Sequence, residues 1–540
     1  MKRIDLHIHT TASDGTCTPE EIVRRASALG LSAVAITDHD TAEGYLRAAA
    51  EGEGCGVEVV PGIEISTKFR AAVHILGYYI DVSSPALQEV LDWMLRDREE
   101  RNVKLCAMLR AEGIDIDNER MHARFGDFVG RPHFAEILDG ASVVDKVRSI
   151  YPSVTYPCHV TMVSGCYPDR HGIYNNEVDA VCEERPDWYW FARSIKTRTL
   201  FQAAKEAGYT TAAVSWPVTT CDPAIDINIP ELDRFGGFGV NNGTAIEMYE
   251  AIGMDERSMR VAKKNIHLMP SWTHPYVDRY FTACMADIIR MYAPEVLFYH
   301  DGRPDAARHA YGVFNDGVKK AIEDSDKSLG RIIDALKKAG VYEDTNIVLT
   351  ADHGQMDIKR LISPNVMFAD RGLITLYKNG RVKSWKAYCK GGGMMSQVFL
   401  KDPQDQALWQ EVYDLLCWMR DEGVYGIGEV FTKEEIKEKE HLDGPFSFVV
   451  ETDGYTSFFD APVRPMVRKR DNLDYKRGFA THGYLPEKGP QPTLIMKGPA
   501  FKSGVHLRNG KLVDQAPTWA RVLSVELPDA DGKPISRVLA

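Results

Sequence analysis

An α/β fold is predicted for this chain, and three observations predict it. Short apolar runs alternate with helix-length segments over the first 140 residues. The same alternation resumes from about residue 143, on a larger scale. Helix start and stop signals stand where the rhythm changes. A strand–helix–strand–helix order implies a parallel sheet or barrel with helices laid against it.

Taken in order, Arg3–His9 reads as the first strand. Thr18–Leu29 reads as a helix: Thr18 is the N-cap, Pro19 fills the first helical position, Glu20 and Glu21 lie in the first turn, and Gly30 stops it. Ser32–Thr37 has the apolar character of a buried strand. A second helix follows from Thr41, then strands at Val57–Val60 and Val73–Tyr79. A long, charge-rich helix is expected from Pro85 to Ala111. Beyond residue 140, strands are expected at Val147–Ile150, Thr211–Ser215, Val296–Tyr299, Ile347–Thr350, Phe446–Val450 and Thr493–Met496. Helices are expected at Thr199–Ala207 and Asn315–Ala339, the latter closed by Gly340. The stretch 359–476 is less periodic and reads as an inserted or peripheral region. The expected domains are therefore 1–140 and 141–540.

Composition narrows the function classes. The 540 residues are 44% apolar and 26% charged, the balance of an ordinary globular protein. A net charge of −12 argues against a protein that coats nucleic acid, so no stable nucleic-acid partner is expected. No apolar run approaches the roughly 18 residues that a membrane helix needs, so no membrane partner is expected either. The opening MKRIDLHIHTTASDG has no apolar core of an export signal, which makes the cytoplasm the expected compartment. The 10 cysteines are scattered without a C-x-x-C pair and are expected to be reduced thiols. Sequence says nothing of oligomeric state.

A first set of metal-ligand residues gathers at strand ends. His7 and His9 are two apart on a strand, so both imidazoles face one side. Asp14 follows in a Ser-Asp-Gly turn, His39 lies in Asp-His-Asp after the next strand, Glu64 follows the third, His74 lies on the fourth, and His133 stands in Gly-Arg-Pro-His. Imidazoles and carboxylates together suit Zn2+, Mn2+ or Fe2+ and can activate water against a phosphate. A lone histidine in such a place is usually structural; it is the whole set, arriving at one strand end after another, that points to a metal site. The segments DLHIHTTASDGT, AITDHDT, PGIEIS, HILGYY and VGRPHFA resemble successive motifs of the polymerase-and-histidinol-phosphatase (PHP) domain, over about residues 1–138. The resemblance implies a partial (β/α) barrel of metal-dependent phosphoesterase type. The further His and late Asp-x-His of that family's second half are not found.

A second set lies in the later part. Thr155 stands after a strand and before a helix-like run in SIYPSVTYPCHVTMVSGCYPDRHG. A hydroxyl at a helix N-terminus is most often only a cap, but it is also where a nucleophile can meet a phosphate. Asp305 and His309 are four apart in RPDAARHAYG, Asp352-His353 follows the strand NIVLTADHG, and His482 lies in FATHGYLP. Two Asp–His pairs and one more His have the composition of a two-zinc site. This part, about 143–540, is similar to the alkaline phosphatase superfamily, nearest its type I phosphodiesterase/nucleotide pyrophosphatase branch. That implies an α/β sandwich with a central mixed sheet, and two Zn2+. Asp305, His309 and His482 would hold one, and Thr155, Asp352 and His353 would belong to the other. It also implies that Thr155 attacks phosphorus through a phospho-threonine intermediate. Asn176 and Trp216 are placed near the substrate from their neighbourhood alone. The family's opening strand ends in Asp-Gly, and its Asp also binds the second zinc. That strand is not found here, and Asp139, although followed by Gly140, stands too near Thr155 to serve.

The leading expectation is a zinc phosphodiesterase or nucleotide pyrophosphatase acting on a small-molecule phosphodiester or nucleotide. The alternative enzyme is a PHP-type phosphoesterase run by the first domain. A third reading is a metal-binding, catalytically impaired fusion of two shortened domains.

Overall fold

The computed structural model describes residues 3–13, 15, 17–67, 73–94, 96, 100, 103, 140–178, 181–183, 186–232, 244–470 and 478–540. The chain divides into two compact units, Met1–Gly140 and Ala141–Ala540.

The first unit is a curled half-barrel. Its elements are β1 (Arg3–Ile8), α1 (Pro19–Ala28), β2 (Leu31–Ile36), α2 (Glu43–Cys55), β3 (Glu58–Thr67) and β4 (Val73–Tyr78), with the sheet order β1-β2-β3-β4. The first two pairings are parallel and the last is antiparallel. α1 begins with a capping box: the Thr18 hydroxyl accepts from the Glu21 N–H, and the Glu21 carboxylate accepts from the Thr18 N–H. α2 begins at Glu43, and Ala42 before it has no side chain able to cap. β3 runs well past the expected Val57–Val60. Its pairing with β2 ends at Pro61 and its pairing with β4 starts at Gly62, so Pro61, which has no N–H to donate, falls at the handover between neighbours. Val23, Ala26, Val34, Ile36, Ala48 and Val57 form the core between helices and sheet. The helix expected over Pro85–Ala111 is seen at 85–94; most of its remainder lies outside the described residues.

The second unit contains three principal sheets. Its elements are β5 (Ser142–Arg148), α3 (Thr155–Ser164), α4 (Leu200–Glu206), β6 (Thr211–Val214), β7 (Ile227–Ile229), α5 (Tyr276–Tyr292), β8 (Val296–Tyr299), α6 (Arg303–Tyr311), α7 (Asp316–Ala339) and β9 (Ile347–Thr350). There follow β10 (Ala387–Gly391), β11 (Met395–Leu400), α8 (Gln406–Asp421), β12 (Ile427–Thr432), β13 (Phe448–Thr452), β14 (Leu494–Lys497), β15 (His506–Lys511) and α9 (Gln515–Val522). One sheet is mixed, with order β15-β5-β14-β9; a second is parallel, β7-β6-β8; a third is antiparallel, β10-β11-β13-β12.

Helices α3 and α9 pack on the mixed sheet through Cys158, Met162, Trp519, Val144 and Leu494, and Ala213 of β6 and Phe298 of β8 join the same core. Helices α5 and α7 cover the parallel sheet through Tyr280, Ile288, Ile332 and Leu336. Among the described strands, β8 pairs only with β6 and β9 only with β14, so each is an edge strand of its sheet. On β9, Val348 and Leu349 are 37% and 48% exposed.

One strand is displaced from its expected place. β5 starts and ends earlier than Val147–Ile150, because it pairs with β15 from Val143 to Arg148 and then leaves the sheet. The next N–H, of Ser149, goes instead to the Gln491 Oε1 at 2.9 Å. The stretch 359–476 shows little alternation because β10, β11 and β13 are buried along their whole length and leave no solvent face. It holds a core of its own, with Leu408, Val412 and Leu416 of α8 against Val398, Phe448 and Val450. The described cysteines are all free thiols.

Candidate metal centres

In the first unit, Glu64 is the hub. It is 6% exposed on β3. Its Oε2 lies 2.9 Å from the His7 Nε2 and 2.7 Å from the His9 Nε2, and its Oε1 lies 2.7 Å from the His74 Nδ1. The His39 Nδ1 is 3.9 Å from the Glu64 Oε2. Two groups share this carboxylate, His7–His9–Glu64 and His39–Glu64–His74, and within each the donor atoms lie no more than 4.8 Å apart. Burial pushes the Glu64 carboxyl up, but the facing imidazoles outweigh it and hold the group ionised below its ordinary range.

The reason for this convergence is local. The β1 alternation puts His7 and His9 on one side, and antiparallel pairing sets His74 opposite Ser66, diagonal to Glu64. Sequence reasoning passed over Asp38 as a positioning group. It is buried and accepts from the Thr10 N–H (2.6 Å), the Thr10 hydroxyl (2.7 Å) and the Ser13 hydroxyl (2.6 Å), which ties down the loop after His9. Its place beside His39 was the available signal. Asp14 and His133 lie outside the described residues.

In the second unit, Asp305 and His309 lie one turn apart on α6, so they share a face. Asp305 Oδ2 is 3.2 Å from the His309 Nε2, and its Oδ1 is 3.8 Å from the His482 Nε2. The donor atoms of the three residues all lie within 4.8 Å of one another. The His309 Nδ1–H donates to the Ala480 carbonyl at 2.7 Å, which orients the ring with Nε2 toward Asp305. Gln355 Nε2 donates to the Asp305 Oδ1 at 2.8 Å. Burial pushes the Asp305 carboxyl up, but the field of His309, His482 and His353 prevails and holds it far below the usual range. Burial drives the His482 imidazole strongly downward against the pull of that carboxylate.

His482 reaches α6 through a two-stranded ribbon in which Met356–Asp357 pairs with Ala480–Thr481. That ribbon links the chain just after His353 to the chain just before His482. The His482 carbonyl accepts from the Met394 N–H at 2.8 Å, and the Gly483 N–H donates to the Ser153 carbonyl at 3.0 Å, two residues before Thr155.

Thr155 opens α3, with Val154 as a cap residue that has no hydrogen-bonding side chain. Its Oγ1 lies 3.3 Å from the His353 Nε2. The His353 Nδ1–H donates to the Gly354 carbonyl at 3.2 Å, and its Nε2 is 3.1 Å from the Asp352 Oδ2. The His353 and His482 rings stack at 4.0 Å, so the Thr155 side and the Asp305 side are one site. A Cβ on Gly354 would fall 2.1 Å from the Pro490 carbonyl, so the turn after His353 needs glycine.

Asn176 is buried, and its Oδ1 accepts from the Tyr156 N–H at 2.8 Å at the start of α3. Trp216 is 5% exposed and lies edge-on to His159 (4.6 Å) and to Phe298 (4.8 Å). His159, Gln355 and His300 are neighbours that the sequence reading missed. His159 stands one helical turn after Thr155, a spacing that could have flagged it. Its Nδ1–H donates to the Thr155 carbonyl at 2.8 Å and lies 3.5 Å from the Asp352 Oδ2. Burial pushes its pKa down to about 3, so it is neutral.

The type I phosphodiesterase/nucleotide pyrophosphatase family model matches residues 122–458, well over half of the chain. The chain belongs to that family. The match opens ahead of the expected start near 143 and stops short of His482, which the fold nevertheless brings to Asp305 and His309. The PHP domain model matches residues 5–118, so the family member carries a PHP domain at its N-terminal end.

Among solved structures, murine ectonucleotide pyrophosphatase/phosphodiesterase 5 is 20% identical with a TM-score of 0.52, covering 76% of this chain and 95% of that one. At that identity the likeness is one of fold. A 3',5'-nucleoside bisphosphate phosphatase of Chromobacterium violaceum is 35% identical over 29% of this chain and 56% of its own length. A 5'-3' exoribonuclease of Haemophilus influenzae is 36% identical over 25% of this chain and 50% of its own. Mouse ectonucleotide pyrophosphatase/phosphodiesterase family member 3 is 26% identical over 38% of this chain and 20% of its own. The chain thus spans about half the length of the bacterial relatives and a fifth of the mammalian one. Among the described residues no helix is long and apolar enough to cross a membrane.

Both families are metal-dependent. The Glu64 cluster fits divalent metal, since it offers four imidazoles around one ionised carboxylate. Asp305, His309 and His482 fit as well: they are three converging donors, and the His309 ring is oriented by Ala480.

Proposed function

We propose that the second unit is a phosphoric ester hydrolase, a zinc phosphodiesterase or nucleotide pyrophosphatase with Thr155 as nucleophile. The observation that carries this reading is the Thr155 hydroxyl at the head of α3, 3.3 Å from an imidazole stacked on the Asp305–His309–His482 cluster. A phosphoryl group brought there meets the positive end of a helix. The Thr155 Oγ attacks phosphorus, the ester oxygen leaves, and a phospho-threonine forms that water then hydrolyses. The Asn176 Oδ1 is already used on the helix, so its NH2 is the end that can donate to a phosphoryl oxygen. Zn2+ held by Asp305, His309 and His482 supplies charge stabilisation and a more acidic water when bound.

The substrate class we infer is a small phosphodiester or nucleotide, met in the cytoplasm. A structure of the murine relative in an inactive form is a complex with AMP, which supports a nucleotide. The test is hydrolysis of bis(p-nitrophenyl) phosphate with added Zn2+. The parent chain is expected to turn over and Thr155→Ala to lose about 10³-fold or more of that rate. Equal rates in the two proteins would end the proposal.

A second reading is favoured by Glu64, whose carboxylate joins two histidine groups. The PHP domain would then be a phosphoesterase in its own right, using Zn2+, Mn2+ or Fe2+ on nucleotides or nucleic acid ends. Hydrolysis of a nucleoside 3',5'-bisphosphate that falls in His7→Ala and survives in Thr155→Ala is the expected result. A rate untouched by His7→Ala would remove this reading.

A further inference from the structure

The family implies two metal positions in the second unit, but the described residues fit only one of them. Three protein donors close around the first: Asp305, His309 and His482. Asp352 and His353 belong to no such group among the described residues. Asp352 is also the only carboxylate paired with His353 or His159 there. Its Oδ2 faces both of those imidazoles. The His159 ring that takes up this side of Asp352 is itself packed edge-on against Trp216 at 4.6 Å and His300 at 4.5 Å. Aromatic rings therefore crowd the flank of Asp352 that faces His159. Two donors and a neutral threonine hydroxyl fall short of the three anionic or imidazole ligands that zinc sites ordinarily use.

The protein contacts on Thr155 are, in turn, already made. The His353 Nδ1–H is committed to the Gly354 carbonyl, and its Nε2 lies 3.3 Å from the Thr155 Oγ1 and 3.1 Å from the Asp352 Oδ2, so hydroxyl and carboxylate meet at one ring nitrogen. The His159 Nδ1–H holds the Thr155 carbonyl at 2.8 Å. We propose that the second unit holds a single divalent ion, at Asp305, His309 and His482, and that Thr155 is oriented by a hydrogen bond to His353 where the family has a second ion. The inference rests on the phosphodiesterase reading above, and goes beyond it in the number of metals and in the task of Asp352 and His353.

The test counts metal in the full chain, so that any ions in the first unit appear equally in every variant. Each protein is saturated with Zn2+, freed of excess by gel filtration and measured by elemental mass spectrometry. His309→Gln is expected to lower the zinc content by one ion per chain, whereas Asp352→Asn and His353→Asn leave it at the parent value. Loss of one ion in Asp352→Asn or His353→Asn would overturn the single-ion proposal while leaving the phosphodiesterase reading intact. No loss in His309→Gln would overturn both. Zinc-edge anomalous maps of the parent protein guard against misfolded variants: one peak in the second unit is expected, and two would refute the proposal. Kinetics separate orientation from mere structure. His353→Asn is expected to lower kcat on bis(p-nitrophenyl) phosphate by about 10²-fold with KM little changed; an unchanged kcat would remove its role on Thr155.

Discussion

Gln355 shows how a single side chain sets a metal position without binding metal. Its amide NH2 holds the Asp305 Oδ1 at 2.8 Å, which leaves Oδ2 toward the His309 Nε2 at 3.2 Å. Loss of such a supporting hydrogen bond typically weakens metal binding 10–100-fold. Gln355→Ala is therefore expected to release zinc to a chelator at about tenfold lower chelator concentration than the parent, measured by competition titration. Gln355→Glu should behave differently, since a second carboxylate against Asp305 repels rather than donates. At this scale the sequence was informative where chemistry comes in pairs. Asp305 with His309, Asp352 with His353, and His7 with His9 announce themselves by spacing and strand-end position. Supporting residues did not. Gln355 acts across 50 residues, and Asp38 accepts from Thr10, 28 residues back, so neither leaves a local pattern.

Elements explain why those residues converge. α2 lies so near the loop after β1 that a Cβ on Gly44 would fall 2.0 Å from the Asp38 Oδ2 and 2.8 Å from the Thr10 Oγ1. Gly44→Ala must push Asp38 off its three donors. Overpacking of this kind costs about 1–3 kcal/mol, and here it should also weaken metal binding at the Glu64 cluster, read as a lower Mn2+ affinity by calorimetry. Thr18→Ala tests the opposite case, a cap remote from that cluster. It is expected to destabilise α1 by about 1 kcal/mol without changing Mn2+ affinity. The start of α1 was legible residue by residue because capping is local chemistry. The length of β3 was not, because Pro61-Gly62 reads as a break and only the arrival of β4 carries the strand on. Likewise β10 and β11 of the antiparallel sheet were hidden by their own burial, since alternation vanishes when both faces are covered, whereas β13 was expected close to its place, at Phe446–Val450.

For the molecule as a whole, one buried carboxyl links pH to stability. Glu451 is fully buried on β13, where burial pushes its pKa up to about 7 from 4.5 against the opposing pull of Lys488, the Leu485 N–H and the Tyr151 hydroxyl. Between those two values the folded chain keeps a proton that the unfolded chain gives up. The resulting stabilisation is present in full below about pH 4.5 and is lost as pH rises through about 7, a swing of about 3 kcal/mol. Urea midpoints at pH 5 and pH 8 should therefore differ in the parent, and the gap should narrow in Glu451→Gln.

The open edge of β9 has a different consequence. A strand with unpaired backbone groups and exposed Val348 and Leu349 is a template onto which another chain can add. The protein should thus be sensitive to its own concentration, clouding when stored dense and warm rather than when dilute. Leu349→Lys is expected to raise the onset concentration for light scattering while sparing zinc content, because a charge on that edge repels its own copy. Solubility in this molecule would then be decided on a strand edge whose last residue stands only two before Asp352.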